Sequence, residues 1–323
     1  MAVKGILITG GSGLVGAYAV GMLLDRGERP VVFDVAVNER LLRAVGVDTN
    51  KVTLIRGDMM DLPALISALR DNDCDRVIHL AAFLGEEVQR RPYSGVRLNF
   101  MGTVNVFEAA RLEKLARVIF PSSGTVYLGS LGEGLEKIDE KIPMNPPSVY
   151  AATKASCEFM GRAYAKRYGF EFICLRYTGG LYGPSPAALK ATREIAIQQM
   201  IRAAVKGEAA KISWPYGPAE ILYGKDAAKG TVLAALKDSF KETLFHIGNG
   251  KMLSGDDIVK AVRKAYPGSD ITLVKSDNPM PYPESRLASD FSRAKHELGY
   301  EPEYSIEKAA LDYGATLKKL ENL

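Results

Sequence analysis

Short runs of consecutive, mostly apolar residues at 6–8, 31–33, 52–55, 76–80, 118–120 and 170–175 alternate with stretches whose apolar positions recur every three or four residues. The first pattern marks strands buried on both faces; the second marks amphipathic helices. Helices are predicted over 13–26, 63–70, 96–112 and 148–168, the third carrying Val96, Phe100, Val104, Phe107 and Ala110 on one stripe. Buried strands alternating with helices predict an α/β fold, a doubly wound parallel sheet with helices on both faces. After residue 176 the rhythm changes. A Gly/Pro-rich stretch at 179–186 interrupts it. A helix is predicted near 194–206, a loop beside a pocket at 212–218, and strands at 244–247 and 271–274. Ser254 is placed to N-cap a helix over 255–266. Two turn-then-helix units follow at 289–298 and 305–320. The expected organisation is a dinucleotide-binding domain at 1–176 and a smaller, mostly C-terminal α/β substrate domain at 177–323, with strands near 212–250 able to return to the first sheet.

The first strand ends in Thr9-Gly10-Gly11-Ser12-Gly13-Leu14-Val15-Gly16. Glycine here permits a tight turn, close backbone approach to a pyrophosphate, and helix–strand packing. N–H groups at the start of the following helix, around Leu14 and Val15, meet the anion. The fold is therefore expected to be Rossmann-type. Asp34 closes the second strand, where a carboxylate accepts from a ribose 2′-OH and repels a 2′-phosphate, so NAD is the expected cofactor. Asp58, beside Met59, is placed to accept from an adenine amino group. His79-Leu80-Ala81-Ala82 ends the fourth strand; its small residues let a cofactor lie against the backbone, and His79, inside a strand pattern, reads as structural.

Pro147-Ser148 opens the fourth long helix. Tyr150 then lies in its first turn and Lys154 one turn on, on the same face. A phenol titrates near about 10. A neighbouring ammonium, a helix N-terminus and an oxidised nicotinamide all favour its phenolate. Such a tyrosine accepts a proton from an alcohol or donates one to a ketone. Ser122-Ser123-Gly124-Thr125 follows a buried strand and emerges at the sheet edge where ligands bind; Ser123 is placed to hold the reacting oxygen and Thr125 to touch substrate.

Together these motifs, with Asn99, Arg176, Tyr182-Gly183-Pro184 and Glu297-Leu298-Gly299-Tyr300, resemble the extended short-chain dehydrogenase/reductase superfamily, specifically the NAD-dependent epimerase/dehydratase family. The resemblance implies a Ser123/Tyr150/Lys154 triad with Lys154 also on the nicotinamide ribose. It implies Asn99 and Tyr177 against the cofactor, Thr178 against the substrate, and a homodimer through the helices at 96–112 and 148–168. Residues 79–127 are also similar to the short-chain type of L-threonine dehydrogenase.

Two positions depart from nucleotide-sugar members of the family. Gly180 stands where an asparagine would hold a nucleotide diphosphate, and Ala219 where an arginine would bind phosphate. Glu220 beside it is expected to repel a diphosphate. The leading expectation is thus an NAD-dependent enzyme moving a hydride to or from a secondary alcohol of a small polar metabolite (a hydroxy amino acid, sugar or sugar acid), with Arg286 and the Trp214–Tyr216 loop available to bind it. The alternatives are a nucleotide-sugar 4-epimerase and a non-catalytic dinucleotide sensor. A net charge of +4 with both signs intermixed argues against nucleic-acid and membrane partners. The scattered Cys74, Cys157 and Cys174 fit no metal or disulfide spacing. No apolar run reaches spanning length, and the start leads directly into the first strand without the pattern of a secretory leader. The cytoplasm is the expected compartment.

Overall fold

A computed structural model describes residues 3–131, 135–186, 195–214, 217–275 and 287–322, with only the backbone of Lys275. Its centre is a seven-stranded sheet built from β1 (Gly5–Thr9), β2 (Arg29–Asp34), β3 (Thr53–Arg56), β4 (Cys74–His79), β5 (Arg117–Ser123), β6 (Glu171–Tyr177) and β10 (Leu244–Ile247). The spatial order is β3-β2-β1-β4-β5-β6-β10, and every pairing is parallel. The chain moves outward from β1 to β3, then crosses back to β4 and continues the other way. That reversal between β1 and β4 opens a crevice at the carboxyl ends of the strands, the ligand-binding edge of such sheets.

Alternate residues feed the two faces, as the two-residue strand period requires. Ile6, Ile8 and Val32 pack on one side under α1 (Leu14–Leu24) and α9 (Gly224–Leu236). Leu41 and Leu42 of α2 (Glu39–Ala44) and Met200 and Ile201 of α8 (Ala196–Lys206) join the same core. Leu7, Val31 and Phe33 pack on the other side under α3 (Leu62–Asp71), α6 (Thr103–Leu112) and α7 (Val149–Tyr168). Ser148 caps α7 by accepting from Ala151 N at 3.1 Å, and Gly169, at φ 86°, ends it in the left-handed conformation.

The structure departs from the pattern-based elements in several places. The helix expected over 96–112 begins earlier, as α5 (Pro92–Val96), and passes through a π-helical turn (Arg97–Gly102) before α6. The Asn99 carbonyl inside that turn accepts from Thr103 Oγ1 (2.5 Å) and Cys157 Sγ (3.4 Å), and these side chains compete with the backbone ladder. The loop expected at 212–218 is partly strand: β8 (Ala210–Trp214) pairs in parallel with β12 (Ile271–Lys275) outside the main sheet. The interrupted stretch after 176 contains β7 (Gly180–Tyr182), which joins β9 (Ala219–Tyr223) and β11 (Met252–Leu253) in a small three-stranded sheet. β10, from the second half of the chain, completes the main sheet beside β6. Among the described residues no helix is long and apolar enough to cross a membrane, and no cluster of His, Cys, Asp and Glu side chains could hold a metal ion. The three cysteines are free thiols.

Candidate active site

The glycine loop is shaped by contact. Gly10 has φ 68°, and a Cβ there would lie 2.8 Å from Ala81 N. A Cβ at Gly16 would lie 2.4 Å from the Gly10 carbonyl oxygen. Only hydrogen fits at either position. The first turn of α1 has no side-chain cap and no acidic residue, so its N–H groups and dipole are left for an anion. Beyond the loop, Ser12 donates through Oγ (2.7 Å) and N (3.3 Å) to one oxygen of Asp34, and Ala36 N donates to the other at 3.2 Å. These bonds fix the carboxylate at the end of β2, facing the crevice.

A cleft of about 570 Å³ runs along the carboxyl ends of β1, β2, β4 and β5. Gly10, Gly13, Leu14, Val15 and Gly16 line it at one end, with Asp34, Asp58 and Met59 beyond. Leu80, Ala81 and Ala82 form its floor, and Tyr150, Lys154 and Tyr177 its far end. Asn99, expected against the cofactor, does not line it. Its amide is engaged at both ends by the backbone of Phe83, accepting from N at 2.8 Å and donating to O at 2.9 Å. Asn99 therefore holds the loop after β4 that forms the cleft wall. His79 is buried between Thr9 Oγ1 (2.6 Å) and Thr103 Oγ1 (2.9 Å). Burial, helped by the charge of Lys154, pushes its pKa down to about 3, so it is a neutral core residue. An uncapped helix start, two glycines that admit no Cβ, and a fixed carboxylate along one elongated cleft together fit a dinucleotide with a free ribose 2′-OH.

At the far end Tyr150 and Ser123 line the cleft together. Thr125 donates to the Ser123 hydroxyl oxygen from Oγ1 (2.9 Å) and N (3.2 Å). Burial pushes the Tyr150 pKa up to about 12, and the Ser123 side chain works against that shift. Lys154 is buried, which lowers its pKa, and its Nζ donates to Pro121 O at 2.7 Å, above the Phe120 ring at 4.8 Å. The protein's own groups therefore keep the phenol protonated. Lys154 thus lines the same end of the cleft as Tyr150, with its ammonium engaged by the Pro121 carbonyl.

A second cavity, about 500 Å³ and largely apolar, meets the cleft at Ser123, Tyr150, Tyr177 and Gly179. Thr125 and Thr178 line it, as do Gly180, Ala219, Trp214, Ile221 and Leu287. Gly85, Glu86 and Gln89 of α4 (Gly85–Arg90), which the sequence did not single out, close the side nearest Tyr150; their only signal was their position just after the strand-end His79–Ala82 stretch. Tyr216 and Arg286 lie outside the described residues. Thr178 Oγ1 is hydrogen-bonded to Ser289 Oγ at 2.8 Å. Glu220, expected to repel a diphosphate, also lines this cavity. Its carboxylate is buried and accepts from Asn249 N (2.7 Å), Gly250 N (2.8 Å), Ser289 Oγ (2.8 Å) and Ser289 N (3.0 Å). Both oxygens are thus occupied by donors from the protein itself.

A family model for the NAD dependent epimerase/dehydratase family matches residues 6–248. The UDP-glucose 4-epimerase of Halalkalibacterium halodurans is 27% identical over 314 residues, covering 93% of this chain and 91% of that protein. The structure of Thermus thermophilus UDP-glucose 4-epimerase complexed with NAD superposes with a TM-score of 0.81 at 25% identity, over 98% of this chain and 99% of that one. UDP-glucose 4-epimerase from Thermotoga maritima, solved with UDP-glucose, superposes with a TM-score of 0.84 at 23% identity, over 98% and 99% of the two chains.

Proposed function

This chain belongs to the NAD-dependent epimerase/dehydratase family and is an NAD-dependent enzyme, and on that premise we propose that it is a nucleotide-sugar 4-epimerase. The observation that carries the reading is the second cavity. Its volume of about 500 Å³ lies in the range that encloses a drug-sized ligand, far above what a free hydroxy amino acid needs. It opens onto the cofactor cleft at Ser123 and Tyr150. Relatives that carry UDP-glucose 4-epimerase names cover nearly the whole chain. Gly180, Ala219 and Glu220 weigh against a nucleotide diphosphate, but the Glu220 carboxylate is already hydrogen-bonded within the protein.

NAD, when bound, supplies the hydride acceptor. Asp34 receives the adenosine ribose, and the α1 N-terminus and the glycine loop receive the pyrophosphate. Ser123 orients the reacting oxygen of the substrate. Tyr150 takes the hydroxyl proton as the alcohol becomes a ketone and gives it back when the ketone is reduced from its other face. Lys154 holds the ribose nearest the reacting carbon, and its charge favours the phenolate. Large apolar side chains stand in solvent on the outer helices, Tyr93 and Val96 on α5 and Phe159 and Tyr168 on α7. They support a homodimer through these helices, which light scattering on wild type and Phe159→Glu tests.

A net dehydrogenase acting on a small secondary alcohol is the second reading, favoured by the uncharged Gly180 and Ala219 in the cavity wall. Incubation with UDP-glucose or UDP-galactose separates the two. Interconversion of the 4-epimers without NADH absorbance supports the first reading. NADH accumulating with free alcohols, and no interconversion, replaces it with the second. NAD binding with neither activity leaves the dinucleotide sensor.

A further inference from the structure

Glu158 follows Lys154 by one helical turn on α7, and it is fully buried. A carboxylate there, left alone, would draw the Lys154 ammonium toward itself and offset its charge. Arg176, at the end of β6 and also buried, meets it with two bonds: Nε to Oε1 at 2.9 Å and Nη2 to Oε2 at 2.7 Å. Ser122 Oγ donates to Oε1 at 2.6 Å, and Arg162 approaches Oε2 at 3.5 Å. Arg176 is held from behind by the Tyr127 hydroxyl and lies 4.6 Å from the centre of that ring. Tyr127 in turn pairs with His246 Nε2 at 2.7 Å. One buried ion pair thus joins α7, which carries Tyr150 and Lys154, to the strand ends that carry Pro121–Ser123 and Tyr177.

We propose that Arg176 and Glu158 are positioning residues for proton transfer: Arg176 holds and neutralises the Glu158 carboxylate, so that the Lys154 charge acts undiminished at Tyr150. The inference rests on Tyr150 as the acid–base group, which both enzymatic readings share. The other titratable groups around Lys154 and Tyr150 do not duplicate this carboxylate. On β4 there is His79, buried and neutral. On α7 and β6 there are the thiols Cys157 and Cys174, both pushed up by burial. The phenols of Tyr127 and Tyr177 are also raised by burial. Glu86 of α4 stands at the cavity wall, exposed to solvent.

The test is the pH profile of turnover in the oxidative direction, whose acidic limb reports Tyr150. Tyr150 and Glu158 are two turns apart, about 12 Å at 1.5 Å per residue, so one unscreened charge at an effective dielectric near 20 moves the limb by about one pH unit. Arg176→Gln uncovers the carboxylate and is expected to move the limb to higher pH. Glu158→Gln leaves Arg176 uncompensated and is expected to move it to lower pH. Opposite signs distinguish charge from packing damage, which would degrade both variants in the same sense. Two measurements independent of turnover accompany the profile: Kd for NAD by calorimetry and Tm. Limbs that stay in place, or move together, in folded variants that bind NAD overturn the proposal. If a buried variant does not fold, Arg162→Gln at its half-exposed site carries the same sign test at low salt. A smaller alkaline shift is expected there, and its absence overturns the proposal. Tyr150→Phe is run alongside: if that variant turns over normally, the acid–base assignment itself has failed, and not the ion-pair inference.

Discussion

Glu220→Gln is the most discriminating substitution in the substrate half of the site. The residue is 4% exposed. Three close donors converge on Oε1 (Asn249 N, Gly250 N and Ser289 Oγ), with Thr178 Oγ1 at 3.5 Å, and Ser289 N donates to Oε2. An amide of the same shape keeps one acceptor. Oriented to preserve the bonds at Oε1, it sets its NH2 against Ser289 N, donor against donor; turned over, it breaks three bonds. Losing one charge-assisted bond and converting the others to neutral ones costs about 3–4 kcal/mol. At roughly 2 °C per kcal/mol for a chain of this length, Tm is expected to fall by about 6–8 °C. Thermal unfolding followed by circular dichroism checks this. The increment in Tm on adding NAD is expected to remain, because the cofactor cleft does not use these residues. On the epimerase reading, KM for the UDP-sugar is expected to rise, since Thr178 in the cavity wall is tied to the same cluster. A Tm within about 1 °C of wild type, together with tighter UDP-sugar binding, would refute the reasoning. That result would mean the carboxylate faces the ligand and repels it.

Tyr150→Phe is expected to lower kcat by about 10²–10⁴-fold with Kd for NAD unchanged by calorimetry; turnover near wild type would remove the mechanism. Asp34→Ala deletes the acceptor that Ser12 and Ala36 hold in place, and the ratio of Kd values for NADP and NAD is expected to fall toward unity. An unchanged ratio would place the 2′-selectivity elsewhere. His79 has a pKa pushed from the ordinary 6.5 down to about 3 by burial and by Lys154. The stability it contributes is therefore fully present above about pH 6.5 and is lost as pH falls toward 3. Tm of His79→Asn is expected to depend less steeply on pH than wild type below about pH 6.5, and parallel curves would count against a neutral buried imidazole.

The sheet and the cofactor cleft were legible because their determinants are local. Unbroken apolar runs produce β1, β2, β4 and β5, and a glycine run immediately after β1 can serve little else. Tyr150 and Lys154 share one helix, so their proximity follows from spacing alone. What escaped the sequence depends on partners far along the chain. β8 is a strand because β12 pairs with it. α9, absent from the sequence reading, has small buried residues such as Ala227, Ala228, Ala234 and Ala235 and no broad polar face, so no amphipathic period announces it. Glu220 read as a free charge because its four close donors come from residues 249, 250 and 289, which only the fold brings to it. Asn99 was placed against the cofactor by resemblance, whereas its side chain is bound to the Phe83 backbone one wall away.

Ser123, Tyr150, Tyr177 and Gly179 are shared by two chambers lined by otherwise different residues. A guest in one can therefore swivel or depart while the occupant of the other stays seated. On the epimerase reading, that independence lets the intermediate turn over in place without discarding the dinucleotide. Catalytic cycles would then outnumber cofactor exchanges, and protein purified from cells would carry its own NAD.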